Sequence, residues 1–170
     1  MARFTCLGCA RCCSGLIVPV TRFDMARWMC SGRPELAASV VRVEEFEGVG
    51  SRVVYALPRR EDGRCVYLTE DGRCAIYEVK PLVCELFPYA YSSKHDKLGL
   101  HPWAAKHCEA VLRGMVELDR DKAAELLAKA RLVFAELKIV EEVEEDYERM
   151  RMWALEEVSR GAQRRPRASC

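Results

Sequence analysis

Cys6-Leu7-Gly8-Cys9-Ala10-Arg11-Cys12-Cys13 places four cysteines within eight residues, and the rest of the chain takes its meaning from them. Two residues between successive cysteines let a loop curl until its thiolates converge, which is why this spacing recurs at zinc and iron–sulfur sites. Cys6, Cys9 and Cys12 are in that register. Cys13 follows Cys12 directly; adjacent side chains project in different directions, so the two are expected to serve different centres. Four more cysteines, Cys65, Cys74, Cys84 and Cys108, stand across the middle of the chain. Eight thiolates suit two four-sulfur sites, or one cluster and one zinc. Four disulfides are the alternative, but cysteines this crowded do not pair comfortably with one another. Cys30 and Cys170 lie outside both groups. Cys30, on an expected helix with Met25, Trp28 and Met29, reads as a small buried apolar residue.

Composition removes several function classes. The chain has 27 basic against 26 acidic residues, so no overall field draws nucleic acid or an anionic membrane. No run approaches the roughly 20 apolar residues of a membrane span. The apolar stretch near the N-terminus, Gly15 to Val20, is shorter than a signal-peptide core and contains Pro19. These features predict a cytoplasmic protein. Asparagine is absent and glutamine occurs once, at Gln163, while Glu, Arg and Lys abound. That drift is expected of a thermophile, whose cytosol tolerates structural disulfides.

The chain predicts an α+β fold: small antiparallel hairpins with a cysteine-rich metal-binding loop, followed by a C-terminal helical hairpin. Residues 1–20 read as the loop. Thr21 caps a helix supported by Asp24, running to about Cys30 and stopping at Gly32; a short second helix starts at Pro34. Alternation at Val41 and Val43, then Val53, Tyr55 and Leu57, predicts a hairpin turning at Glu47 to Gly50. A second hairpin is expected where Cys65–Leu68 and Arg73–Tyr77 flank Asp71-Gly72, and a third pairs Tyr89–Tyr91 with Leu98–Leu100. From Pro102 to about Arg160 the period is helical, with stripes Ala123, Leu126, Ala130, Val133, Leu137 and Val140, Val143, Tyr147, Met150, Ala154. The acidic run Glu141 to Glu148 reads as a solvated face. His101 and His107 read as capping or surface residues, and no histidine enters the ligand set. The expected division is a metal-binding domain at 1–110, a helical extension packed on it at 111–160, and a disordered basic tail at 161–170.

Cys6, Cys9 and Cys12 resemble the local part of a ferredoxin site, whose fourth ligand is remote, although Cys13 and the lack of a Cys-Pro set this chain apart from a ferredoxin proper. A fuller match exists. Cys6 to Cys13, then Cys74-Ala75-Ile76-Tyr77 leading to Pro81, Cys84 and Phe87-Pro88, with Cys65 before and Cys108 after, resemble the CxxCxxCC family of zinc- or iron-chelating domains over residues 4–110. Lys80, where arginine usually precedes the proline, and Glu85, where a basic residue is common, depart from the pattern. The resemblance implies metal binding at Cys6, Cys9, Cys12, Cys13, Cys65, Cys74, Cys84 and Cys108. The implied cofactor is an iron–sulfur cluster (4Fe-4S), zinc, or both, in a structural or redox role. It extends to the cysteine-rich region of flagellin lysine methylases, which brings in a second reading, an S-adenosylmethionine-dependent methyltransferase acting on protein lysines. Gly48-Val49-Gly50 lacks the strand–loop–helix context of a nucleotide fingerprint, and the CxxxCxxC of radical enzymes is missing. A metal chaperone or store is the third. Expected partners are metal ions and a protein engaged through the C-terminal helices, with no nucleic acid and no membrane.

Overall fold

The structure, a computed structural model, describes residues 6–44, 46, 51–116 and 120–161. The expected turn at 47–50, with its Gly-Val-Gly, and the tail from 162 lie outside the described residues. The chain divides into two compact units, Met1–Ile17 with Arg59–Phe134 and Val18–Pro58 with Ala135–Cys170. Helices and two small antiparallel hairpins make an α+β fold, with a helical pair at the C-terminal end. Among the described residues, no helix is long and apolar enough to cross a membrane.

The second unit holds the larger apolar core. Helix α2 (Arg22–Cys30) starts at the expected cap: the Asp24 backbone N–H donates to Thr21 Oγ1 at 3.1 Å, and the Thr21 backbone N–H to Asp24 Oδ2 at 3.0 Å. The reciprocal box satisfies two donors that the first helical turn would otherwise leave open. Gly32, at φ +73°, ends the segment, and α3 (Pro34–Ala38) follows. Strands β1 (Val41–Val43) and β2 (Val54–Ala56) pair with Val41 opposite Ala56 and Val43 opposite Val54. Val20 N–H donates to Tyr55 O at 2.7 Å and Leu57 N–H to Val18 O at 3.0 Å, which extends the pairing past β2's other edge. The last helix, here numbered α8 (Glu144–Gly161), packs on α2 and α3, and the Tyr147 ring stacks on Tyr55 with centroids 4.3 Å apart. Trp28, Met25, Leu36, Val54, Val140 and Tyr147 are fully buried or nearly so.

One expectation fails in this unit, and another holds only in part. Cys30 is exposed and disulfide-bonded, not a buried apolar filler. The acidic run does not simply face water. Glu141 accepts from the Arg52 N–H at 2.8 Å, Glu144 from Arg42 at 2.8 Å, Asp146 from Arg22 at 2.6 Å and Glu148 from the Tyr55 hydroxyl at 2.9 Å. Its partners come from α2 and the hairpin, while Glu141, Glu142 and Glu145 remain exposed, so the run is a solvated face that also carries these bonds.

The first unit is built from turns and short elements. Residues expected as a plain loop contain a helix of five residues, α1 (Arg11–Gly15), entered through Ala10 at φ +58°. Farther on come α4 (Leu82–Leu86), β3 (Tyr89–Ser92) paired with β4 (Lys97–Leu100) in the expected hairpin, α5 (Pro102–His107) and α6 (Glu109–Leu112). Most of α7 (Arg120–Lys138) belongs here, with Leu126, Ala130 and Val133 buried as the stripe predicts. The helical stretch after Pro102 is broken where Cys108 turns extended, at φ −77° and ψ 117°, and again at Gly114, φ +67°.

The hairpin expected at Cys65–Tyr77 reduces to one bridge, Leu68 to Cys74. The reason is a repeat. Glu61-Asp62-Gly63-Arg64-Cys65 recurs nine residues later as Glu70-Asp71-Gly72-Arg73-Cys74. Both glycines take φ +80°, and each cysteine opens a further turn, Leu68 N–H to Cys65 O at 3.1 Å and Tyr77 N–H to Cys74 O at 3.2 Å. A chain that turns immediately after its cysteine cannot continue as a strand.

Candidate metal centre

All eight cysteines singled out from the sequence are described, all are free thiols, and all lie in the first unit. Each is delivered by a short element or a turn. Cys12 and Cys13 sit on α1, Cys65 and Cys74 end the two repeated turns, Cys84 is on α4, and Cys108 joins α5 to α6. Cys65 and Cys108 are buried; Cys9, Cys12, Cys13, Cys74 and Cys84 are half-buried and Cys6 is exposed.

The turns are fastened to the N-terminal loop. Cys65 N–H donates to Cys13 O at 2.8 Å. Arg59, whose guanidinium also holds Gly63 O, reaches Ser14 O at 2.7 Å. Arg60 donates to Val66 O at 3.2 Å and to Leu68 O. On the far side Arg11 donates to His107 O at 3.2 Å and pairs with Glu109 at 3.3 Å, gripping the residues on either side of Cys108. His101 caps α5, its Nδ1 accepting from Trp103 N–H at 3.1 Å, and His107 packs against Trp103, so the histidines are occupied as expected.

Six of the thiols form one electrostatic neighbourhood. Cys12 and Cys13 do not diverge as adjacent side chains were expected to: on the turn of α1 their sulfurs lie 3.9 Å apart. The hydrogen bond between them holds Cys12 as a thiol, with burial and the charges of Cys13, Cys6 and Cys84 adding to the effect. The same bond brings Cys13 down to about 7 despite burial, helped by its own backbone N–H and by Lys80. Burial pushes Cys65 up, opposed by the backbone N–H of Tyr67 on its sulfur; Cys13 and Cys74 push it further and Arg59 opposes. Cys74 repeats the pattern, raised by burial, relieved by the N–H of Ile76 and by Lys80, and raised again by Cys13 and Cys6. Burial also raises Cys84, followed by Cys13, Cys74 and Cys65, with Lys80 opposing. Lys80, stacked 3.9 Å over the Tyr77 ring, is a fixed positive charge beside this cluster.

Mutual repulsion of this kind is what a bound cation relieves, and an all-sulfur donor set suits soft ions. Among the described residues, no three Cys, His, Asp or Glu are gathered tightly enough to hold an ion, so the thiols form a neighbourhood and not a finished cage.

A family model named CxxCxxCC, with the description "Putative zinc- or iron-chelating domain", matches residues 5–109. The chain belongs to this family. A CxxCxxCC domain therefore accounts for every cysteine of the neighbourhood, with Cys9 and Cys108 also inside the match. The chain is 29% identical over 134 residues to the uncharacterized protein MJ0661 of Methanocaldococcus jannaschii, an alignment spanning 74% of this chain and 69% of the relative. No solved structure matches it.

Sequence reasoning taken one cysteine at a time misses Arg59, Arg60 and Gly72, which shape the centre without being ligands. The nine-residue repeat is a signal for Gly72, whereas Arg59 and Arg60 lie just before the repeat and are found only from the hydrogen bonds they make.

Proposed function

We propose that the eight cysteines Cys6, Cys9, Cys12, Cys13, Cys65, Cys74, Cys84 and Cys108 hold thiolate-ligated metal, as a 4Fe-4S cluster, zinc or both, in a structural or redox role. One observation carries the reading: thiols from four separate stretches of chain are gathered around Cys13, where their charges oppose one another's ionisation. Without a cation that gathering is unfavourable; with one, the same sulfurs become its ligands. The backbone N–H groups of Tyr67 and Ile76, donating to Cys65 and Cys74, are the kind of outer contact that orients a metal-bound thiolate. Zinc bound there would cross-link α1, the turns and α4, while a cluster would add a one-electron couple.

The test is anaerobic purification followed by elemental analysis and a visible spectrum. Zinc or iron in stoichiometric amount supports the reading, and a metal-free chain that takes up neither on anaerobic reconstitution ends it. The two other readings make separable forecasts. A chaperone or store would exchange its metal quickly with a competing chelator. A protein-lysine methyltransferase would bind S-adenosylmethionine.

A further inference from the structure

Two cysteines stand apart from the metal centre, in a different chemical state and a different unit. Cys6, Cys9, Cys12, Cys13, Cys65, Cys74, Cys84 and Cys108 are free thiols of the first unit, whereas Cys30, in the second, is disulfide-bonded. The chain holds ten cysteines. With those eight free, the sulfur left for Cys30 is that of Cys170, which lies outside the described residues.

The run of the helices brings that pairing within reach. Arg22 bonds Asp146 at 2.6 Å, and Arg22, Phe23 and Ala26 line one groove with Asp146, Arg149 and Met150, so α2 and α8 advance side by side in the same direction. Cys30, one turn past Ala26, is then level with Ala154, one turn past Met150. Helix α8 continues to Gly161, about 10 Å farther along its axis. Cys170 is the ninth residue after Gly161, and nine residues extend up to about 30 Å. That length is ample for the chain to turn back and meet the Cα separation of about 5.5–6 Å that a disulfide needs. Cys30 is exposed at the last position of α2, open to an approaching sulfur.

We infer that Cys30 and Cys170 are a redox-responsive pair, a disulfide that ties the chain beyond α8 to the end of α2 and is chemically separate from the metal thiols. It forms by exchange with a low-molecular-weight disulfide. The two cysteines give up two protons and two electrons as their Sγ–Sγ bond forms, and the oxidant's S–S bond breaks to leave two thiols. A low-molecular-weight thiol reverses the exchange, its thiolate attacking the accessible Cys30 sulfur and displacing Cys170. The bond closes most of the chain into one loop, and a cross-link over a long loop restricts the unfolded chain strongly. Both ends belong to the second unit, where α2 packs on α8, so closing the bond opposes the separation of these two helices.

The test uses the full chain, incubated with oxidised glutathione, alkylated to block remaining thiols and cut with trypsin. Mass spectrometry should find the peptide Trp28–Arg42 joined to Ala168–Cys170, and a thiol reductant should separate them without changing the zinc or iron content of the protein. Reduction should also lower the unfolding temperature by roughly 10 °C. Cys30→Ala and Cys170→Ala should each unfold at the lower temperature with or without reductant. Absence of the joined peptide after oxidation overturns the pairing, as does Cys30 joined instead to one of the other eight cysteines, to glutathione, or to a second copy of the chain. A joined peptide with no change in unfolding temperature overturns the role as a tie. Neither result depends on whether the other eight cysteines hold metal.

Discussion

Gly72 and Gly8 meet backbone to backbone: a Cβ on Gly72 would lie 2.8 Å from the Gly8 carbonyl oxygen, and the contact seats the second repeated turn on the loop between Cys6 and Cys9. Gly63 occupies the equivalent position in the first turn with the same φ of +80°, yet its added Cβ would meet only Arg59 Nη2 at an ordinary 3.7 Å.

The pair makes a controlled comparison. Alanine at either site meets the left-handed backbone penalty of about 1–2 kcal/mol, but Gly72→Ala must also push Gly8 away. Gly72→Ala should therefore weaken metal retention against a chelator clearly more than Gly63→Ala. Equal losses would mean that the Gly8 contact does not matter.

Arg59 joins α1 to the first turn through the carbonyls of Ser14 and Gly63. Hydrogen bonds from a charged donor are worth about 1.5–3 kcal/mol each when buried and less here, where Ser14 is exposed. Arg59→Ala should speed chelator-driven metal loss several-fold while leaving the thermal unfolding of Arg22- and Tyr147-containing structure nearly unchanged. Arg59→Lys should fail to restore it, since one ammonium cannot span both carbonyls as the guanidinium fork does.

In the second unit, burial alone would raise the Glu136 carboxyl, but Arg22, with Nε 2.7 Å from Oε1, and Tyr147 hold it below the ordinary carboxylate range. A depressed folded value gives stability that is present above the unfolded value near 4.5 and is lost as pH falls through the folded one. The stability gap between the wild type and Glu136→Gln, read by urea unfolding, should be constant near neutrality and shrink in acid below that point. Arg22→Ala leaves a buried carboxylate without its cation and should cost about 3–5 kcal/mol, partly recovered by acid. A gap that widens in acid would contradict the assignment.

Metal affinity should rise with pH. Burial keeps Cys65, Cys74 and Cys84 as thiols at neutrality, so binding must expel their protons. Each proton released steepens the apparent affinity by about tenfold per pH unit. Zinc competition with a chelator of known pH dependence measures the slope, and a flat profile would argue that these thiols are not ligands.

What the sequence disclosed was local. Thr21 with Asp24, Gly32 and Pro34 mark the ends of α2 and α3 because caps and breakers act over a few residues. The helical stripes and the Tyr89–Ser92 hairpin follow from periodicity alone. What depended on distant partners did not show. Glu141, Glu144 and Glu148 do lie on an outer face, but their bonds to Arg52, Arg42 and Tyr55, about ninety to a hundred residues away, were not legible. The cysteine list could be written from spacing and resemblance, but the place of Cys13 at the middle of the neighbourhood could not. It depends on the Cys65 N–H closing on the Cys13 carbonyl, a contact across 52 residues. The sulfurs of Cys12 and Cys13 likewise approach because five residues coil into α1, where a loop was expected.

The interleaving of the two units along the chain has a practical outcome for anyone cutting the gene. The family match ends at residue 109, yet residues 18–58 inside it pack with α8, which begins at Glu144. A fragment trimmed to the match would carry Met25, Trp28 and Leu36 with no helix to cover them, inviting aggregation unrelated to metal. The segment that defines the family is thus shorter than the segment that must be synthesised for its own residues to stay folded.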